Sequence, residues 1–247
     1  MSISRFSGNK DTDREILLKL SDKDLLSACK SNKYLYTSVC DDNFFRRKLL
    51  LSYPNTLKYF NINEYKNYKR FYLNVIYYIS KLKEEFNYLY IAGNPKKQYD
   101  IFKQSNSNQE NLLYLASREG EIELVKEAIS RGAHIRQGTG LSWASRYGYL
   151  EIVKYLVENR ANIHALHDEA FRWAVENGHL EVVKYLVSQG VNIHTYDDEA
   201  LKLASENGHL DVVKYLVENG AKDNNNSALI RARSNQHYHI VEYLSRL

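Results

Sequence analysis

The sequence predicts an all-α chain, most of it a solenoid of stacked helix pairs. Three observations lead there. One phrase recurs at near-constant spacing through the second half. Inside each copy, apolar residues fall at helical intervals in two short blocks. Helix breakers are scarce, with 2 prolines, Pro54 and Pro95, in 247 residues.

The phrase reads Ala144-Ser-Arg-Tyr-Gly-Tyr-Leu-Glu-Ile-Val-Lys-Tyr-Leu-Val157 in one copy. It returns as Ala174-Val-Glu-Asn-Gly-His-Leu-Glu-Val-Val-Lys-Tyr-Leu-Val187 and as Ala204-Ser-Glu-Asn-Gly-His-Leu-Asp-Val-Val-Lys-Tyr-Leu-Val217. A looser copy surrounds Gly120, and another, without the glycine, runs from Ala232 to Leu244. The aligned alanines Ala116, Ala144, Ala174, Ala204 and Ala232 are 28, 30, 30 and 28 residues apart. A period of this size marks stacked supersecondary units.

Each unit reads as two short helices. In the third, Asp168-Glu169-Ala170 opens the first helix, with Asp168 as its N-cap and the acids favoured by the helix dipole. Ala170, Phe171 and Ala174 recur at helical spacing, and Gly178 ends the helix in a left-handed conformation. The second helix runs from about His179 to Val187, with Leu180, Val183, Leu186 and Val187 forming one apolar stripe. Gly190 closes it. Helices shorter than about 12–15 residues are marginal alone in water, so stacking must bury the stripes. Small alanines at the contact let the helices approach closely. A terminal unit sheds its outer stripe, and in the last one Gln236-His-Tyr-His replaces Gly-His-Leu-Glu.

These residues resemble the ankyrin repeat, whose pattern Thr-Pro-Leu-His-x-Ala-Ala-x-x-Gly-His-Leu-Glu-Val-Val-Lys-x-Leu-Leu is matched from the alanine onward over about residues 110–247. Gly190-Val-Asn-Ile-His matches the family's Gly-Ala-Asp-Val-Asn. The five units are expected at 110–138, 139–167, 168–197, 198–226 and 227–247. The family repeats every ~33 residues, and the units here are shorter. Its Thr-Pro-Leu-His turn is replaced by Glu169-Ala-Phe-Arg and Glu199-Ala-Leu-Lys. The tips of the β-hairpin fingers between units are therefore expected to be short, with little or no strand.

The resemblance implies a protein partner on the concave face, held by the fingers and first helices. With the fingers trimmed, the first helices carry more of that surface. The position before each alanine is Leu115, Trp143, Trp173, Leu203 and Arg231, with Tyr114, Arg146, Tyr147 and Arg172 beside it. Two tryptophans in register with arginines have the composition of a binding hot spot. The same column could instead cover core left open by the lost fingers.

The first half carries 19 Lys/Arg and 11 Asp/Glu in residues 1–109, against 15 and 19 in 110–247. That sign change supports a boundary near residue 109. The basic residues are interspersed with acids, so no nucleic-acid partner is expected. Residues 1–11 read as a flexible N-terminus and 12–52 as short helices. Ser21-Asp-Lys-Asp24 has the form of a capping box before Leu25 and Leu26. Ile16, Leu20, Asp24-Leu25-Leu26, Cys29-Lys30 and Phe44-Phe45-Arg46-Arg47 resemble a divergent F-box. The family's opening Leu-Pro is absent, and the stretch between Asp24 and Cys29 is short. The resemblance implies a Skp-type adaptor of a cullin ubiquitin ligase, docked by Leu17, Leu20, Leu25 and Leu26. A helical cap with no partner is the competing reading.

Residues 53–104 read as a helical extension. Tyr72, Val75, Ile76, Ile79, Leu82 and Phe86 keep helical spacing from Asn63 to about Tyr90, and Gly93-Asn94-Pro95 stops it. A short helix over 97–103 and a linker over 105–109 follow. The combined layout looks like the ankyrin families of giant amoebal DNA viruses such as mimivirus. An AT-rich genome would also account for the 21 tyrosines.

No enzyme constellation is present: no G-x-G-x-x-G, P-loop, G-x-S-x-G or H-E-x-x-H. No cofactor is expected. His179 and His209 hold the family's helix-start position, where a side chain–backbone bond is the usual role. His164 and His194 lie in the Asn-Ile-His loops, and His237 and His239 lack a third metal ligand. No apolar secretory segment or bilayer-length stretch appears. Cys29 and Cys40 alone make no disulfide framework and suit the cytosol or nucleus. The chain is read as a non-enzymatic, monomeric protein-interaction module. It would serve as a ubiquitin-ligase substrate receptor or as a plain scaffold or inhibitor.

Overall fold

The computed structural model describes residues 17–21, 25, 27–29, 40, 42–52, 68–88 and 94–247. The chain forms two compact units, Met1–Lys103 and Gln104–Leu247. Among the described residues every regular element is a helix and there is no strand.

In the first unit, α1 (Asp42–Ser52) packs on α2 (Tyr68–Phe86). Their core gathers Leu17, Leu25, Cys29, Cys40, Phe44, Phe45, Phe71, Tyr72 and Val75. The rings of Phe45 and Tyr72 lie 5.0 Å apart. Lys48 is only 5% exposed, yet its ammonium has a use: it donates to the carbonyls of Leu18 and Leu20 at 3.0 and 2.8 Å. Buried charge is tolerated where such acceptors are supplied. The Leu25 N–H donates to the Ser21 carbonyl at 2.8 Å. Asp24 and Leu26 lie outside the described residues.

Two expectations change here. Cys29 and Cys40, 6.7 Å apart at their Cα atoms, are joined in a disulfide. Both are buried in one core, a proximity that an 11-residue separation does not announce. The pair therefore does not argue for a reducing compartment. The long helix ends at Phe86, earlier than expected, because Asn87 turns left-handed (φ 49°) and the Tyr88 N–H reaches back to the Leu82 carbonyl at 3.0 Å. Asparagine takes that conformation more readily than most residues. Next comes α3 (Pro95–Ser105), with proline at the start of a helix, where its missing N–H costs nothing.

The second unit holds the repeats. Its first helices are α4 (Gln109–Glu119), α6 (Thr139–Arg146), α8 (Ala165–Glu176), α10 (Thr195–Glu206) and α12 (Ser227–Ser234). The second helices, interleaved with them, are α5 (Ile122–Ser130), α7 (Leu150–Glu158), α9 (Leu180–Ser188), α11 (Leu210–Glu218) and α13 (Tyr238–Leu244). Each first helix packs on the next first helix, and each second on the next second, making two rows. The five aligned alanines are fully buried between them. A Cβ on Gly140 would meet Leu113 and Ser117 at 3.1 Å, which shows how closely α4 and α6 approach.

The helix-ending glycines behave as expected, with Gly120, Gly148, Gly178 and Gly208 at φ of 77°, 73°, 72° and 84°. The N–H after each donates to the aligned alanine carbonyl, as from His179 to Ala174 at 2.9 Å. A further constraint was not visible in one repeat alone. The Cβ that a side chain would add at Gly148 falls 2.6 Å from Nδ1 of His179, a ring of the following repeat. At Gly120 the ring is Tyr149, and at Gly208 it is His237, each 2.7 Å away.

The fingers are replaced by left-handed turns. Leu166, His167 and Asp168 take φ of 55°, 58° and 57°, and Tyr196, Asp197 and Asp198 take 55°, 58° and 54°. Asp168 is therefore not the N-cap expected of it. Its carboxylate accepts from His164 Nδ1 at 2.7 Å, and right-handed helix resumes at Glu169. Asp198 repeats the bond with His194 at 2.7 Å and also accepts the Lys222 N–H at 3.2 Å. Before each turn an asparagine side chain accepts from the N–H two residues on, Asn162 from His164 and Asn192 from His194, both at 3.0 Å. Left-handed residues other than glycine cost roughly 1–2 kcal/mol each, and these bonds offset part of that.

Candidate functional site

The first-helix row presents one continuous aromatic and cationic surface. Trp143 on α6 and Trp173 on α8 occupy the same position in successive repeats, and their indoles meet edge-on at 5.1 Å. Tyr114 abuts Trp143 from the repeat before at 5.2 Å, and Tyr147 stacks on Trp143 at 5.9 Å. The Arg146 guanidinium lies over both indoles, 5.3 Å from Trp143 and 4.9 Å from Trp173. Arg118 lies over Tyr114 at 5.5 Å and pairs with Glu119 at 3.0 Å. Such contacts contribute about 0.5–2 kcal/mol each, so they hold the cluster in place. Trp143 and Trp173 are half-buried, not enclosed.

The remaining expected residues divide. Arg172 is exposed beside Trp173, and Leu203 continues the column half-buried. Leu115 is buried and offers no contact surface. Arg231 is half-buried and bonded to Glu199 Oε1 at 3.1 Å and Glu206 Oε2 at 2.9 Å. Lys202 joins the same network through Glu199 at 3.9 Å and also pairs with Asp197 at 3.0 Å. The column thus changes from an open aromatic surface in the second and third repeats to a closed ion network in the last two. In the first unit Leu17 and Leu25 are fully buried, and Leu20 is half-buried.

On the opposite row, tyrosines whose number an AT-rich genome would explain make contacts between repeats. Lys126 lies over the Tyr155 ring, Lys154 over Tyr185 and Lys214 over Tyr243, each at 5.8 Å. The Lys-Tyr dipeptide of the phrase is therefore a stitch between repeats. Burial raises the hydroxyl pKa of Tyr185, with Glu158 adding to it, and burial likewise raises that of Tyr215 against the pull of Lys184.

The histidines are scaffold. His179 Nε2 donates to the Arg146 carbonyl and His209 Nε2 to the Glu176 carbonyl, both at 2.8 Å. His237 does the same to the Glu206 carbonyl at 3.0 Å, a role hidden by the altered last phrase. Among the described residues no three His, Cys, Asp or Glu side chains gather as metal ligands, and no helix is long and apolar enough to cross a membrane. A cleft of about 440 Å³ at the last repeats is lined by Leu201, Val217, Leu229 and Leu244, with Asp223 at its edge. The Asp223 carboxylate is committed to the N–H groups of Ala228 and Leu229 at 2.9 Å.

Helix pairs in two rows, glycine-ended first helices and histidine bonds between repeats define an ankyrin-type solenoid. Sequence comparison agrees. The profile for ankyrin repeats in three copies matches residues 76–167 and 171–246, and that for many copies matches 141–195. The chain belongs to the ankyrin repeat family. The match reaches back into α2, ahead of residue 110, where the glycine-histidine phrase first becomes legible. An ankyrin repeat protein of Acanthamoeba polyphaga mimivirus is 44% identical over 36 residues, covering 15% of this chain and 18% of that protein. Ankyrin repeats indicate a protein–protein interaction module.

The half-buried Tyr185 and Tyr215 have a pH signature. A folded-state pKa above the unfolded value near 10 gives stability that is present below pH 10 and lost as pH rises through the folded value. The melting temperature should therefore fall more steeply above about pH 10 in the wild type than in Tyr185→Phe/Tyr215→Phe. Parallel curves would contradict the assignment.

Proposed function

We propose that the array binds a protein partner through its first-helix face, centred on Trp143, Arg146, Tyr147 and Trp173. One observation supports this reading above the rest: a rigid aromatic–arginine cluster is left half-buried and open in the second and third repeats, whereas Leu115 of the first is buried and Arg231 of the last is closed by ion pairs. Rigid aromatic anchors lose little side-chain entropy on binding, and they dominate interface energetics. Tyr114, Arg172 and Leu203 would extend the contact. Leu115 and Arg231 would support it from within.

The mimivirus likeness and the tyrosine-rich composition favour a viral protein acting on a host partner. The substrate-receptor form of the proposal adds a Skp-type adaptor on residues 12–52. It draws on the F-box-like residues alone; among the described docking candidates Leu20 keeps an accessible edge. A plain scaffold or inhibitor needs no such contact. Pull-down with the adaptor separates the two: the receptor form expects association that deletion of residues 1–52 abolishes, and no association leaves the scaffold.

Proximity labelling in host cells tests the main reading. Trp143→Ala/Trp173→Ala should lose specific neighbours that the wild type labels, while keeping a helical circular dichroism spectrum. An unchanged neighbour set, or a drop in melting temperature with no selective loss, would show that the column only covers core.

A further inference from the structure

The geometry points to an acidic segment as the partner's contact, with an Asp or Glu carboxylate on Arg146 and a neighbouring aromatic or aliphatic side chain on the indoles. This rests on the first-helix face being the binding surface.

The argument starts from unmatched donors. Arg146 spreads its guanidinium over Trp143 and Trp173, at 5.3 and 4.9 Å from the ring centres. It makes no ion pair or side-chain hydrogen bond with any described residue. Its neighbours in the column are matched: Arg118 by Glu119, and Arg231 by Glu199 and Glu206. A guanidinium packed on aromatic faces keeps its N–H edge free, and that planar fork fits a carboxylate through two parallel bonds. Stacking also fixes the fork before binding, which lowers the entropy cost of ordering it.

Charge gives the segment a direction. Glu176 holds in the third repeat the position that Arg146 holds in the second, and it forms no ion pair. At this position the charge therefore changes from positive in the second repeat to negative in the third, while Arg172, exposed on the same helix as Glu176, keeps a positive charge beside Trp173. An acid seated at Arg146 is attracted there and repelled at Glu176. Tyr147, 45% exposed and stacked on Trp143, supplies apolar surface beside the fork for the adjoining side chain.

The test uses the full chain and a random 12-residue peptide library displayed on phage. Binders selected by the wild type should carry Asp or Glu next to an aromatic or aliphatic residue. The chain's 2 tryptophans both lie in this cluster, so their emission reports binding at this place. Titration with an enriched peptide should shift that emission. Replacing the peptide's acid by its amide, or Arg146→Gln in the protein, should weaken binding by about tenfold or more, the scale of a charge-assisted bidentate pair. Arg146→Lys, which keeps the charge and the stem, should fall between. If enriched peptides lack acids, or if Arg146→Gln leaves affinity unchanged while Trp143→Ala/Trp173→Ala abolishes it, the acidic segment is wrong and the face stands. If no enriched peptide depends on either site, both readings fall.

Discussion

Each repeat after the first seats an aromatic or imidazole ring on a bare glycine of the repeat before it, and the rest of the array depends on that seat. The ring of His179 occupies the space where a Gly148 side chain would stand, and Nε2 of the same ring satisfies the Arg146 carbonyl at the end of α6. One contact thus does two jobs. It fills the gap between helix pairs, and it pairs a carbonyl that a helix end leaves without a partner. His209 and His237 repeat the arrangement, and Tyr149 fills the same place on Gly120.

This seat also connects scaffold to surface. Arg146 is held at its carbonyl by His179 and at its guanidinium by Trp143 and Trp173. Lysine-over-tyrosine contacts stitch the opposite row between the first and second, second and third, and fourth and fifth repeats, so these neighbours are joined on both sides. Between them the left-handed turns at 166–168 and 196–198 replace fingers with short, strained bends closed by His–Asp bonds. The short bends take the place of fingers, and the aromatic–arginine cluster stands on the first helices α6 and α8.

Much of this was legible in the residues. The alanines, glycines and apolar stripes of the repeated phrase locate the helix pairs, their ends and their stacking, because those features obey local periodicity. The tryptophan column was legible from register alone. What escaped depends on contacts between repeats or on backbone sign. Asp168 has the composition of an N-cap, and only the left-handed turn shows that it serves His164 instead. The tyrosines of the Lys-Tyr dipeptide looked like codon bias, since their partners lie about one repeat away. Arg231 looked available until Glu199 and Glu206 were placed beside it. Cys29 and Cys40 come together only through the fold of the first unit.

A double-mutant cycle on Gly148 and His179, followed by urea unfolding, tests the seating of ring on glycine most directly. In the wild type, Gly148→Ala meets both a left-handed backbone cost of about 1–2 kcal/mol and the His179 ring. In a His179→Ala background only the backbone cost remains. The account predicts that the two substitutions together cost less than the sum of each alone, by about 1 kcal/mol or more. Additivity to within about 0.3–0.5 kcal/mol would mean that the glycine serves the turn alone and that the repeats are held in register by something else.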